Sequence, residues 1–359
     1  MFAYIVRRLM MMPVLLFGVA FLIFLMISLL SPQERLALYL RDLPRNEAQA
    51  QTLINKYGLD EPFLTQFADW LFGRVVDDPT TGQKVVQGGV LRGDLGYSRS
   101  GSDSVANIIA RRFPATLELT LWGMLPILGV GILMGILAAV NHNRLVDQVL
   151  RVFSIIGFSF PSFVFGLLLL MLFYARLQWF PPDNLSDWAT QIVNDVSTFT
   201  RYTGMNTFDS LLNGRLDIFL DALRHMIMPI LVQAYIQWAL LLRITRSSML
   251  EALKQDYVTT ARSKGLAERA VIHRHARPNA MIPVVTVGGF TVVGQLNGLV
   301  ITETIFNYPG IGSVAAHAAA QLDVLTVLAF TLFTGAILLV ANLIVDVLYA
   351  VVDPRVRLS

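Results

Sequence analysis

The sequence predicts an all-α membrane protein with six transmembrane helices and a small extracytoplasmic subdomain. Two observations carry that prediction. Of the 359 residues, 55% are hydrophobic and 15% charged, whereas a soluble globular domain carries about 25% charged residues. The apolar residues also fall in blocks, as charge-free runs at 9–33, 119–143, 152–175, 225–242, 278–302 and 324–345. A helix needs roughly 20 such residues to cross the hydrocarbon core. Most soluble enzymes and nucleic-acid binders are thereby excluded, and the pI of about 9.2 reads as membrane topology. Cysteine is absent, so no disulfide framework, thiolate nucleophile or cysteine-based metal site is available.

The first run follows Arg7-Arg8 and is too long for a signal-peptide core of about 7–15 residues, so it is read as an uncleaved span. With the N-terminus in the cytoplasm, six spans return the C-terminus to the same side. The cytoplasmic segments then hold 14 of the 28 Lys and Arg, and the short external segment 304–323 holds none. Both ends are therefore expected inside. A seventh span at 304–322 is rejected because Asn307, Ser313, His317 and Gln321 are costly in lipid. An external turn and a short helix are expected there.

Three regions follow: residues 1–33 with the first span, 34–114 as the extracytoplasmic subdomain, and 115–359 as a five-span core. In the subdomain, helical patterns run from Asn46 to Tyr57, ending at Gly58, and from Glu61 to Phe72. Val75-Val76 and Val85-Val86 flank Asp77–Lys84 as a short hairpin. The second long external segment, about 176–224, is assigned loop with short helices. Gly131-x-x-x-Gly135 and Gly294-x-x-x-Gly298 place small residues on one helix face, for packing within the chain or for a dimer contact.

Residues 247–280 differ in kind. The segment is too polar for the membrane, yet Met249, Leu250, Leu253, Tyr257 and Val258 recur at helical spacing among basic residues. It is built to lie against something in the cytoplasm. Gly265 is expected as a C-cap or sharp turn, and Pro278 is expected to stop the following helix ahead of the fifth span.

At this segment the sequence resembles the cytoplasmic "EAA" loop of ATP-binding-cassette importer permeases. The motif residues are Tyr257, Thr260, Ala261, Arg262, Lys264, Gly265, Leu266 and Pro278. Flanked by Asp256 and by His275-x-x-Pro278-Asn279-Ala280 with Pro283, they look like the dipeptide and oligopeptide branch. Arg7-Arg8-Leu9, Gly58-Leu59-Asp60-x-Pro62, Gly93-Asp94-Leu95-Gly96, Ala115-Thr116-Leu117-Glu118-Leu119, Ile301-Thr302-Glu303-Thr304-Ile305-Phe306, Pro309-Gly310-x-Gly312 and Val352-Asp353-Pro354-Arg355 are also similar to that branch. The likeness covers nearly the whole chain; segments 75–90 and 183–222 match no motif.

The resemblance implies a type I importer architecture, multi-pass in a bacterial cytoplasmic (inner) membrane. It implies a half-channel for peptides, paired as a heterodimer with a second homologous permease subunit, two cytoplasmic ATPase subunits and an extracytoplasmic peptide-binding protein. A nickel chelate or a peptide antibiotic is the alternative cargo. The chain has no G-x-x-x-x-G-K-[ST] phosphate loop, so ATP hydrolysis is expected on the separate subunits. Neither a cofactor, a metal nor nucleic acid is expected.

Among individual residues, Gln233 and Gln237 share a helix face and either line a polar passage or bond between helices. Glu303, at the end of the fifth span, either meets a peptide's amino terminus, contacts the binding protein or is solvated. Asp346 is expected to reach Arg355 or water, and His273 and His275 to be surface or docking residues. An intramembrane hydrolase is disfavoured, since the only histidines in the charge-free runs are His142 and His225, at their ends.

Overall fold

In the computed structural model, residues 2–39, 44, 46–77, 84–296 and 299–352 are described. Contacts divide the chain into two compact units. One comprises residues 1–5, 114–313 and 340–359; the other comprises 6–113 and 314–339.

Helix α1 (Phe2–Ser28), in the second unit from Val6 onward, ends short of the charge-free run. The reason is a capping box at its exit. The Ser31 hydroxyl accepts from the Glu34 N–H, and the Glu34 carboxylate accepts from the Ser31 N–H, which starts α2 (Pro32–Tyr39). Helix α3 (Glu47–Tyr57) is capped by the Asn46 side chain and closed by Gly58 at φ 63°. Helix α4 (Phe63–Phe72) lays Phe63 and Phe67 against Phe21 and Phe24 of α1 at ring separations of 5.4 to 5.6 Å. The expected hairpin is present as antiparallel β1 (Arg74–Asp77) and β2 (Lys84–Gln87), with Val75 opposite Val86 and Val76 opposite Val85. Strands β3 (Tyr97–Ser98) and β4 (Asp103–Ser104) form a second small pair.

Helix α5 (Val105–Val140) is followed by α6 (Leu145–Ser159) and α7 (Ser162–Leu169), the latter continued by a π-helical stretch over Leu170–Arg176. The run expected to span at 152–175 lies in a helix pair bent by 104°. Pro161 removes a backbone donor and pushes Phe160 into extended backbone (φ −95°, ψ 120°). Among the described residues five helices are long and apolar enough to cross a membrane, and six if the bent pair is one span. The short helices expected between 176 and 224 are α8 (Asp187–Asn194) and α9 (Asn206–Leu212).

Helix α10 (Leu216–Leu253) is the longest. Its glycine-directed packing against α5 is close: a Cβ on Gly131 would lie 2.9 Å from Leu241 Cβ, and one on Gly135 would collide with Thr245. That glycine pair serves packing within the chain. Gly294 has nothing within 4 Å of such a Cβ, and Gly298 lies outside the described residues.

After α11 (Asp256–Ser263) and α12 (Glu268–Ala270), a π-helical turn over Val271–Ala276 leads into α13 (Arg277–Leu296). Pro278 therefore does not stop a helix, contrary to expectation. The helix runs from Glu268 to Leu296 without a break, because the widened turn just before Pro278 absorbs the missing N–H and the ring's bulk. Helices α14 (Val300–Ile305) and α15 (Ile311–Ala320) occupy the region of the rejected seventh span, and α15 is too short to cross. Helix α16 (Val324–Val352) is the last element among the described residues.

Candidate functional site

Helix α11 is held on a packed base. Its Val258 and Ala261 are buried with Met249 and Ala252 of α10, Val271 and Ala276 of the π turn, Ala280 of α13 and Ala139 of α5. The C-terminus closes as a Schellman motif: the Gly265 N–H donates to Arg262 O at 2.9 Å and the Leu266 N–H to Ala261 O at 3.4 Å. Gly265 adopts φ +77°, a region that side chains rarely tolerate. A Cβ there would meet nothing within 4 Å in the chain. Arg262 spans the turn to Glu268 through Nη2–Oε1 at 2.7 Å and Nε–Oε2 at 3.2 Å. The opposite face is open, with Tyr257 and Leu266 40% and 42% exposed and Thr260 and Lys264 exposed beside them. Pro278 is exposed on the adjoining helix. Of the eight loop-motif residues only Ala261 is buried; it belongs to the seat.

A second group lies inside the helices. Gln237 receives the Thr291 hydroxyl at 3.5 Å. Gln233 and Gln295 are both 6% exposed, and both polar atoms of Gln233 and Nε2 of Gln295 have no partner within the chain. An amide left in that state costs about 1–3 kcal/mol.

Glu303 is fully buried, which corrects the expectation of a solvated or peptide-facing group. Its carboxylate accepts from the Thr116 hydroxyl and the Ser313 N–H, each at 2.8 Å, and Gly312 packs closely on it. Thr116 in turn accepts the Ile311 N–H at 2.9 Å. Nearby, Glu118 accepts the Thr207 N–H and hydroxyl at 2.5 and 2.6 Å and faces Tyr308 at 3.5 Å. Residues 115–119 and 301–313 thus form one buried knot. Burial pushes the Glu303 carboxyl above its ordinary range, against the lowering effect of its donors.

Residues 131–358 match the family described as binding-protein-dependent transport system inner membrane component, and residues 1–120 match the family of its N-terminal part. The chain belongs to this family of binding-protein-dependent transport inner membrane components. It is 37% identical to the di/tripeptide transport system permease protein DppB of Pseudomonas aeruginosa (strain UCBPP-PA14), covering 99% of both chains. It is 34% identical to the oligopeptide transport system permease protein AppB of Bacillus subtilis (strain 168), covering 99% of this chain and all of that one. Identity to the dipeptide transport system permease protein DppB of Escherichia coli (strain K12) is 37%, over 88% of this chain and 86% of the relative.

This inner membrane component is a multi-pass transport subunit and not an enzyme. One cluster invites the opposite thought. Ser186, His225 and Asp221 meet, with the Ser186 hydroxyl 2.7 Å from Asp221 Oδ1 and 3.2 Å from His225 Nε2. A nucleophilic triad needs the imidazole between serine and carboxylate. Here the serine sits between, and His225 Nδ1 is spent on Pro182 O at 2.6 Å. The cluster ties segment 182–186 to α10. Sequence reasoning missed it, because Ser186 lies 35 and 39 residues from its partners. His273 and His275 lie in the π turn, exposed and half-buried respectively, and no cluster fit for a metal occurs among the described residues. Asp346 is half-buried, and Arg355 lies outside the described residues.

Proposed function

We propose that this transport component is the peptide-conducting permease subunit of an ATP-driven importer, with both termini cytoplasmic. Helix α11 is its coupling helix. It seats in a cleft of a cytoplasmic ATPase subunit through Tyr257, Thr260, Lys264 and Leu266, while Gly265 lets the chain approach the partner closely. The observation that carries this reading is an exposed, partly apolar helix face on a buried seat, closed by a glycine at φ +77°. Such a helix passes rigid-body motion into α10 and α13. The peptide cargo rests on the relatives, which are named as di/tripeptide, oligopeptide and dipeptide permeases.

A second permease subunit completes the pathway, and an extracytoplasmic binding protein delivers the peptide. Within this chain, Gln233 and Gln237 are assigned to the translocation path, where their amides exchange hydrogen bonds with a passing main chain. Glu303 serves that path indirectly, by fixing the turn from Pro309 to Ser313. The test is co-purification: the chain should retain its ATPase subunits, and Tyr257→Asp or Leu266→Asp should release them without lowering the membrane level. Full retention by both variants would refute docking through this face.

A further inference from the structure

Before the 104° bend at Phe160–Pro161, α6 is laced to α10 at successive levels. Asp147, whose side chain is wholly buried, takes Arg246 through two hydrogen bonds, Nε to Oδ1 at 2.6 Å and Nη2 to Oδ2 at 2.8 Å. The same carboxylate accepts the Asn143 N–H at 2.9 Å, closing the α5–α6 turn. Arg151 Nε stands 3.8 Å and His142 Nδ1 3.6 Å from it, and His142 also meets Arg246 at 3.1 Å. Further along, the Ser154 hydroxyl donates to Ala239 O at 3.0 Å. A Cβ on Gly157 would lie 2.8 Å from Ala239 Cβ. At the bend itself the Tyr235 hydroxyl donates to Phe160 O at 2.5 Å.

On the other side of Arg246, the last turns of α10 carry Met249 and Ala252 into the seat of α11. Helix α11, the end of α10 and all of α6 are therefore joined without a gap up to Pro161. A buried carboxylate with two guanidinium partners strongly resists being pulled off register, since sliding would leave a charge unpaired.

We propose that Asp147 is a positioning residue for coupling: it fixes α6 to α10, so that movement of α11 is delivered undiminished to the hinge at Phe160–Pro161. The inference rests on the docking of the ATPase at α11. Helix α6 then moves with α10 as one lever up to Pro161.

The absence of cysteine permits a direct test in the complex of this chain with its permease, ATPase and binding-protein partners, reconstituted in vesicles. In Ser154→Cys/Ala239→Cys, bridging the pair with a short thiol-specific reagent should leave peptide moved per ATP hydrolysed the same as in the unbridged sample. Loss on bridging, restored by reduction, would show that the two helices slide and would overturn the inference. Asp147→Asn should keep its ATPase subunits and hydrolyse ATP but move about tenfold less peptide per ATP. Should that variant fail to accumulate, Asp147→Asn/Arg246→Met removes both partners, should restore the level, and should stay uncoupled. A wild-type ratio in either variant would overturn the inference while leaving docking intact. Failure of the ATPase subunits to co-purify with the unaltered chain would overturn the docking reading and the inference together.

Discussion

Glu303 and Thr116, 187 residues apart in sequence, share a hydrogen bond of 2.8 Å in the interior. Around that bond the chain has no slack. A Cβ on Gly310 would collide with the Glu303 carboxyl. Gly310→Ala should therefore destabilise the protein by about 1–3 kcal/mol, read as thermal unfolding in detergent.

The same carboxyl gives a pH signature. Burial raises its pKa above the ordinary 4.5, so the folded state holds the proton more tightly than the unfolded state. Its contribution to stability is then fully present below pH 4.5 and is lost as pH rises through the raised value. Wild type minus Glu303→Gln should thus fall in stability from acid to neutral pH. A difference that grows with pH would contradict this.

The α5–α10 contact separates two glycines of α5. A side chain on Gly135 would collide with Thr245, whereas Gly129 has nothing within 4 Å. Gly135→Val should cost about 1–3 kcal/mol and lower the membrane level. Gly129→Ala, which also gains about 1 kcal/mol of helix propensity, should be neutral or mildly stabilising. Equal effects would mean that the close approach of α5 and α10 is not needed.

Orientation is tested by reporters. A tag inserted within residues 78–83 should be accessible only from outside, and one fused after Ser359 only from the cytoplasm. An external tag after Ser359 would put an odd number of crossings in the chain.

Local signals were legible in the sequence where their causes are local. Gly58 ends α3, Val75 pairs with Val86, and Gly265 takes a positive φ, because each depends on residues within a few positions. The Phe160–Pro161 bend was written in the sequence too, yet the length of a charge-free run masked it. Pro278 was misread for a related reason: a proline usually ends a helix, and only the π turn before it keeps this one going. Glu303 could not be placed, because its burial depends on Thr116 and Ser313, which different elements supply. Likewise Asp147 and Arg246 lie 99 residues apart, and nothing local to either announces the pair.

The central claim, that α11 transmits ATPase motion, is tested most directly at Gly265. With φ at +77°, any side chain adds about 1 kcal/mol or more of backbone strain, while its Cβ meets no atom of the chain within 4 Å. A tryptophan there should obstruct only a partner. Gly265→Trp should keep a near-normal membrane level, retain less ATPase on purification and lose peptide uptake, while Lys254→Ala should be mild in all three. Normal uptake by Gly265→Trp would contradict the account.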